Sequence, residues 1–267
     1  MNMNYQELCN TTIEIVRECA DYIAEQHRNR DSWTVETKGK HDFVTQVDKQ
    51  AEQQLIECLS EVLPEAGFIA EEGTATRRGE TYNWVIDPLD GTTNFIHGVF
   101  PFAISVALLE DGQPVVGVVH EIGLDEAFYS WKNGGAWLNG NPIRTITASR
   151  LSDALIATGF PYTNYDRINR FMDSLTWFMR HSHGLRRLGS AATDIAYVAC
   201  GRYDGFYEYG LHPWDVAAGV LILREAGGAV NDFNGGEDFL FNEEIACSNG
   251  PLQDEFVKIV KELMVQE

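Results

Sequence analysis

The stretch that most constrains the fold of this chain is residues 84–95, which read WVIDPLDGTTNF. The apolar residues at its start are typical of a buried strand. Gly91 then lets the backbone come close to a ligand, and Thr92 and Thr93 follow at what we predict is the first turn of a helix. The sequence therefore predicts a strand that ends in carboxylates and leads directly into a helix.

The oxygen atoms of this stretch indicate a cation site. Pro88 fixes the chain after Asp87, so Asp87 and Asp90 can face one cavity, and the carbonyl of Leu89 can supply a third oxygen. Hard oxygen ligands of this kind suit Mg²⁺. The N–H and hydroxyl groups of residues 91–93 could bind an anion beside it. The same residues are also ordinary in a capped turn without a ligand, and the stretch alone leaves both alternatives open.

Two segments ahead of this stretch, residues 8–24 and 47–62, carry apolar residues at helical spacing. Thr45 and Asp48 stand at the positions of a capping box at the start of the second segment. Residues 38–42 form a polar, glycine-bearing connection between the two. We therefore expect two amphipathic helices that pack on the predicted strand.

After residue 100 the sequence first predicts strands in series, and from residue 155 onwards strands that alternate with helices. Strands are predicted at residues 102–109, 115–120, 127–131, 155–158, 206–209 and 229–232, and helices at 169–181, 190–200, 215–226 and 252–264. The first half thus predicts two helices against an antiparallel-rich sheet, and the second half an alternating α/β arrangement. The fold class is α+β.

The sequence shows no internal repeat and no Pro-, Gly- or Ser-rich linker. We therefore predict a single domain over residues 1–267. A subdivision into residues 1–145, with the helices and antiparallel sheet, and residues 146–267, with the alternating half, is possible within it.

Charge and cysteine usage restrict the partners and the compartment. The formal net charge is −20, from 40 Asp and Glu against 20 Lys and Arg, so the average surface should repel nucleic acid, and we expect no nucleic-acid partner. Five scattered cysteines without a C-x-x-C pair fit a reducing compartment. No basic, apolar leader and no apolar run of about 20 residues is present, so we expect a cytoplasmic protein that does not enter membranes.

Three motifs in combination carry a resemblance to a known family. The stretch 84–95, the upstream Glu71-Glu72-Gly73 and the downstream residues 214–219, WDVAAG, together resemble the inositol monophosphatase family. The resemblance implies an alternating αβαβα layered sandwich of the inositol monophosphatase and fructose-1,6-bisphosphatase type, and commonly a homodimer. It also implies a lithium-sensitive, Mg²⁺-dependent phosphatase.

The resemblance further implies a ligand set for two or three Mg²⁺ ions: Glu71, Asp87, the Leu89 carbonyl, Asp90 and Asp215. Glu71 and Thr92 would orient the attacking water, and Asp48 lies where the family has an acidic residue behind the threonine. Asp48 also fits a helix cap without any catalytic role, and both roles could coexist.

The positions that contact phosphate or sugar hydroxyls in the family fall on Asp90, Gly91, Thr92, Thr93, Gly189, Ser190, Ala191, Glu208 and Asp215. Glu208 could accept hydrogen bonds from the hydroxyls of a polyol, or could be a solvated strand residue. Other polar residues look less telling: we expect Glu243 and Glu244 to be solvated, and His181, His183 and His212 to be structural.

These residues predict hydrolysis of myo-inositol monophosphate, or of a related small phosphorylated polyol or sugar. The residues Thr93-Asn94-Phe95 resemble the inositol monophosphatase branch of the family, whereas related nucleotide and histidinol phosphatases often have lysine in place of Thr93. A fructose-1,6-bisphosphatase or nucleotide 3′-phosphatase activity on the same site remains an alternative, as does a regulatory or scaffolding role of the fold.

Overall fold

The computed structural model describes residues 3–29, 33–39, 42–75, 77–162 and 164–265. In chain order its elements are α1 (Tyr5–Arg28), β1 (Val35–Gly39), β2 (Asp42–Thr45), α2 (Gln46–Val62), β3 (Gly67–Ala70), β4 (Tyr82–Asp90), α3 (Thr92–His97), β5 (Ala103–Glu110), β6 (Gln113–Glu121), β7 (Glu126–Trp131), β8 (Ala136–Leu138), β9 (Asn141–Ile143), β10 (Leu155–Thr158), α4 (Ile168–His181), β11 (Gly184–Arg186), α5 (Ala191–Ala199), β12 (Gly205–Tyr209), α6 (Pro213–Glu225), β13 (Ala229–Asn231), β14 (Glu244–Ser248) and α7 (Gln253–Met264). A 3₁₀ turn, Leu151–Asp153, precedes β10.

The first layer consists of α1 and α2, and both helices begin at the residues that cap them. The Asn4 side chain accepts a hydrogen bond from the N–H of Glu7 at the start of α1. Thr45 and Asp48 form the predicted capping box of α2, since each side chain bonds the backbone N–H of the other. The apolar faces of both helices are buried with residues of the first sheet in one hydrophobic cluster.

The second layer is a seven-stranded sheet in the order β3-β4-β5-β6-β7-β8-β9, in which only the β3–β4 pair is parallel. The register of β4 against β5 shifts within the motif. Asp87 pairs with Ser105 and Asp90 with Ala103, so β4 carries one more residue than β5 over this interval. Such a β-bulge tolerates Pro88, which has no N–H for the ladder.

The third layer is formed by α5 and α6, which lie between the two sheets. Most of their residues are buried, because α6 packs on β5 and β6 of the first sheet and α5 contacts β10 and β12 of the second. The contact with the first sheet is close: a Cβ added at Gly117 would lie 2.8 Å from the carbonyl oxygen of Ala218. A helix that is apolar on every side fits this central position.

The fourth layer is a five-stranded sheet in the order β11-β10-β12-β14-β13, and α4 and α7 cover its outer face. The layers therefore alternate αβαβα, and the predicted α+β class and layering are confirmed. No described helix combines the length and the apolar character that crossing a bilayer requires. The single domain over residues 1–267 remains a prediction.

The predicted helices and strands lie within a few residues of the observed ones, but some pairings were not predicted. The segment predicted as a polar connection, residues 38–42, overlaps a hairpin of β1 and β2, and residues 40 and 41 lie outside the described part of the chain. The strand β14 was also missed. The prediction that Glu244 is solvated was wrong: it is buried on β14, and Arg167 pairs with it at 2.5 Å.

Candidate active site

The stretch 84–95 adopts the predicted strand and helix. β4 ends at Asp90, α3 begins at Thr92, and Gly91 joins them with a left-handed backbone at φ 92°. A Cβ at Gly91 would lie 3.1 Å from the carbonyl oxygen of Gly189 and 3.2 Å from that of Pro101. A residue without a side chain is therefore required here for two reasons, the backbone conformation and the close approach of other chain segments.

Three carboxylates meet where β4 ends and α6 begins. Asp87, Asp90 and Asp215 each offer an oxygen, and these oxygens lie within 4.8 Å of one another. Asp87 and Asp90 are buried, and Asp215 is half-buried. We call these three residues the acidic floor. Clustered carboxylate oxygens without sulfur or imidazole are the donor set that hard cations such as Mg²⁺ prefer.

Asp90 is oriented by the start of α5. Its Oδ2 accepts hydrogen bonds from the Ser190 hydroxyl at 2.6 Å and from the Ala192 N–H at 2.8 Å. Ser190 is also the N-cap of α5, so one side chain both starts that helix and fixes the carboxylate. The Ala191 N–H also bonds this carboxylate, so three donors at the start of α5 hold Asp90 in place.

The other two floor residues are held by their own local turns. The Leu89 N–H donates to Asp87 Oδ1 at 2.9 Å, and the His212 N–H donates to Asp215 Oδ2 at 2.6 Å as part of a capping box of α6. The orientation of each floor carboxylate is thus set by backbone donors, which have little freedom to move.

The electrostatics of the floor favour a bound cation. Burial, and then repulsion from Glu71 and Asp90, raises the pKa of Asp87 well above its usual value. Burial, and then repulsion from Asp90, has the same effect on the pKa of Asp215. The pKa of Asp90 rises to about 6 through burial, against hydrogen bonds that lower it. A divalent ion would stabilise the charged form of these buried carboxylates and offset their mutual repulsion, so the residues present fit a metal centre.

Glu71 follows β3 at the edge of the same site. Its N–H donates to the carbonyl of Ile86 at 3.2 Å, which fixes its backbone beside β4. Its side chain is half-buried, borders the cavity above the floor, and is hydrogen-bonded to Asp87. The structure therefore brings Glu71 to the floor, as the sequence predicts.

Thr92 and Asp48 form a second polar contact at the site. The Thr92 hydroxyl lies 3.0 Å from Asp48 Oδ1 and 3.0 Å from the Leu89 carbonyl oxygen. Asp48 is fully buried, and its other oxygen accepts the Thr45 N–H at 2.8 Å. Asp48 thus caps α2 and contacts Thr92 at once, and its catalytic role stays a prediction. It stands behind Thr92 and does not line the cavity.

One cavity of about 310 Å³ opens above the floor. All of the residues predicted to bind substrate line it: Asp90, Gly91, Thr92, Thr93, Gly189, Ser190, Ala191, Glu208 and Asp215. Glu71, Asp87 and Leu89 line it as well. The structure thus gathers in one place residues that are up to 144 positions apart in the sequence, from Glu71 to Asp215.

Glu208 is a buried member of this lining, with 7% of its surface exposed. A Cβ at Gly159 would lie 2.0 Å from its carboxyl carbon, so the backbone of residue 159 passes directly against the carboxylate. Burial, and then repulsion from Asp194, raises the pKa of Glu208 well above its usual value, against the nearby Arg187. The alternative of a solvated strand residue is therefore wrong.

Another part of the cavity wall consists of residues that sequence reasoning missed. The Arg187 guanidinium lies over the rings of Phe160 and Tyr162, at 4.9 and 5.4 Å, and is bonded to the Tyr162 hydroxyl. Phe160 is 46% exposed and Tyr162 40%. We call these three residues the aromatic rim. Two aromatic residues directly after the predicted strand 155–158 were the only signal in the sequence.

His212 also borders the cavity, with its ring stacked on Trp214 at 4.7 Å between centroids. The prediction that this histidine is only structural missed that position. Its stacking on Trp214 does agree with a role in packing.

Comparisons with known proteins agree with these features. Residues 4–264 match the sequence profile described as the inositol monophosphatase family. An inositol-1-monophosphatase of Mesorhizobium japonicum is 39% identical over 255 residues, which cover 95% of this chain and 96% of that protein. The Nus factor SuhB of Escherichia coli K12 is 40% identical over 243 residues, or 91% of each chain. The crystal structure of the extragenic suppressor protein suhB from Bartonella henselae superposes with a TM-score of 0.91 at 35% identity, covering 96% of this chain and 99% of that one.

Proposed function

The chain belongs to the inositol monophosphatase family and is a phosphatase, and we propose from this premise that it hydrolyses myo-inositol monophosphate or a closely related polyol or sugar phosphate. The observation that carries the proposal is the acidic floor, which opens into one cavity together with Glu208. The floor suits the phosphate end of such a substrate with its cations, and Glu208 suits the hydroxyl groups of its alcohol.

The residues that would hold the metal are Glu71, Asp87, the Leu89 carbonyl, Asp90 and Asp215, and we expect two or three Mg²⁺ ions. Bound there, Mg²⁺ would neutralise phosphate charge and lower the pKa of a coordinated water. The carboxylates themselves contribute fixed orientation, because backbone and Ser190 donors already hold them in place.

The groups that would orient the attacking water are Glu71 and Thr92. When the Thr92 hydroxyl donates its proton to buried Asp48, its lone pairs point away from that carboxylate and can accept a hydrogen bond from water. Glu71 offers a carboxylate oxygen to the same water. Water would then attack phosphorus in line as the bond from phosphorus to the alcohol oxygen breaks. One proton of the water ends on the alcohol oxygen, so the products are inorganic phosphate and the free alcohol.

The alcohol would be recognised at Glu208. A carboxylate can accept two hydrogen bonds from vicinal hydroxyls, and its burial strengthens each of them. The phosphate itself would lie against residues 90–93 and 189–191, which line the same cavity. This arrangement favours a polyhydroxylated alcohol over an apolar one.

A phosphate-release panel tests the proposal. Purified protein with Mg²⁺ should hydrolyse myo-inositol monophosphate with a higher kcat/KM than fructose 1,6-bisphosphate or a nucleoside 3′-phosphate, and chelation of Mg²⁺ should stop the release. Lithium inhibition is a further expectation from the family. Release that persists in excess chelator would contradict the metal-dependent mechanism.

A regulatory role is a second candidate, which the similarity to a protein named Nus factor SuhB supports. The variant Asp90→Asn separates the two functions. If a gene encoding Asp90→Asn fully complements the growth defect of a deletion strain, that defect reflects the loss of regulation. If it does not complement the defect, the defect reflects the loss of catalysis.

Assembly and location are proposed on the same basis. We expect a homodimer in light scattering, no affinity for nucleic acid, and a cytoplasmic location. The five cysteines are free, which agrees with a reducing compartment.

A further inference from the structure

A buried carboxylate on α2 holds the loop that carries Glu71. Glu52 is fully buried, although glutamate is rarely buried without partners. Its Oε2 accepts the Glu72 N–H at 2.7 Å, and its Oε1 accepts the Thr74 N–H at 2.9 Å and the Thr74 hydroxyl at 2.6 Å. All three donors belong to one loop, residues 71–74, which we call the Glu71 loop.

The tip of the Glu71 loop is exposed to solvent. Glu72 is half-buried, Gly73 and Thr74 are exposed, and Gly73 has a left-handed backbone at φ 68°. A Cβ at Gly73 would meet no atom within 4 Å, so the tip of this turn faces open space. Hydrogen bonds to Glu52 hold the backbone at Glu72 and Thr74, on either side of this tip.

The chemistry of these contacts requires a carboxylate. Both oxygens of Glu52 face donors, and a carboxylate carries only acceptors, whereas a glutamine would direct an NH₂ group at one of those donors. Hydrogen bonds to a buried charge are also stronger than those to a neutral amide. Glutamine at position 52 would therefore release one side of the loop without changing the volume of the side chain.

Glu52 lies one helical turn after Asp48, so the two side chains project from the same face of α2. Asp48 contacts Thr92, and Glu52 contacts the Glu71 loop. One face of one helix thus supports both groups to which we assign the orientation of the attacking water.

We propose that Glu52 is a positioning residue, which holds Glu71 at the acidic floor and thereby sets the affinity of the site for Mg²⁺. The proposal rests on the proposed function for the role of Glu71. Glu52 does not line the cavity, and it acts through the backbone of Glu72 and Thr74. Supporting residues of this kind typically change metal affinity or activity by about 10- to 100-fold when they are replaced.

The test compares Glu52→Gln with Glu61→Gln, a matched control on the exposed face of the same helix. Hydrogen–deuterium exchange of peptides that cover residues 71–75 should accelerate in Glu52→Gln and stay unchanged in the control. Isothermal titration of the metal-free protein with Mg²⁺, without substrate, should show affinity reduced by about 10-fold or more in Glu52→Gln alone.

Thr74→Val provides a second variant, because it deletes one hydroxyl donor and leaves the Glu52 charge paired to two N–H groups. It should weaken Mg²⁺ binding less than Glu52→Gln does, and the double variant should lose less than the sum of the two. If Glu52→Gln does not fold, Thr74→Val tests the proposal alone. It should accelerate hydrogen–deuterium exchange at residues 71–75 and lower the affinity for Mg²⁺, and no change in either would contradict the proposal.

A lowered Tm with unchanged exchange at residues 71–75 and unchanged Mg²⁺ affinity would overturn the proposal, since Glu52 would then be merely structural. Failure of the proposed function looks different: wild-type protein would neither bind Mg²⁺ nor release phosphate. Wild-type binding that Glu52→Gln leaves intact refutes the role of Glu52 alone.

Discussion

The acidic floor and the aromatic rim border the same cavity, yet the chain supports them in different ways. Floor carboxylates stand at the end of a buried strand and at the start of a central helix, and backbone or buried hydroxyl groups hold them. Rim side chains contact one another, Phe160 also meets the ring of Phe171 edge-on, and Phe160 and Tyr162 are nearly half exposed. The difference indicates that the floor is built for fixed chemistry, and the rim for contacts that can adapt to a substrate.

The largest effect is expected from removing a floor carboxylate. Asp90→Asn keeps the shape of the side chain and removes its charge, so kcat/KM with Mg²⁺ should fall by more than about 100-fold, beyond the usual loss for residues that only support ligands. Asp173→Asn, on the exposed surface of α4, is the matched control and should retain wild-type kinetics. Wild-type phosphate release by Asp90→Asn would show that the floor does not perform the chemistry.

Glu208 lines the same cavity as the floor and the rim, and its replacement should affect substrates differently according to their alcohol groups. Glu208→Gln should lower kcat/KM for inositol monophosphate by roughly 10-fold, because a buried acceptor for hydroxyl groups is lost. Hydrolysis of p-nitrophenyl phosphate, whose alcohol offers no vicinal hydroxyls, should change little. Equal losses on both substrates would place Glu208 in support of the floor.

The ionisation of the floor carboxylates should make the free energy of unfolding of the metal-free protein depend on pH. The pKa of Asp90 is raised in the folded state, so its contribution is favourable at low pH and is lost as pH rises through about 6. When the pH is lowered from 7.5 to 5, protonation of Asp90 should raise the free energy of unfolding by on the order of 1 kcal/mol.

Chemical denaturation of chelator-treated wild type and Asp90→Asn at both pH values measures this contribution as a difference. The comparison is needed because His120, whose buried ring has a lowered pKa, acts in the opposite direction below about pH 6.5. Identical pH dependence in the two proteins would contradict the raised pKa of Asp90. Saturating Mg²⁺ should stabilise wild type more at pH 7.5 than at pH 5, since ions compete with protons.

The smallest effect is expected at the rim. Phe160→Ala removes one of the two rings under the Arg187 guanidinium, a contact worth about 0.5–1 kcal/mol at an exposed site. KM should rise by a few-fold while kcat stays near wild type, as steady-state kinetics on inositol monophosphate can measure. A fall in kcat comparable to that of Asp90→Asn would abolish the distinction between floor and rim.

The same contrast explains what could be predicted from the sequence. The strand, the bend and the helix of residues 84–95 follow from local residue types, so most of the floor could be predicted from one segment, with Asp215 added through the family resemblance. Rim contacts join residues 25 to 27 positions apart through loops, and local patterns do not encode such contacts.

The burial of two acidic residues could not be predicted from local sequence patterns either. Glu244 looks solvated in the sequence, but β14 pairs with β12 and places it opposite Tyr209, where Arg167 neutralises it. Glu52 looks like an ordinary helix residue until the Glu71 loop closes over it. In both cases the partner comes from a segment at least 20 residues away, and tertiary pairing decides the environment.

The bulge in β4 has a consequence for how this chain can vary. Side chains of a regular strand alternate between its two faces, so residues 87 and 90, an odd number apart, would point in opposite directions. The extra residue restores them to one side, where their oxygens meet. Deletion of a single residue between them would leave β4 paired with β5, but every side chain of β4 after the deletion would point to the opposite face of the sheet.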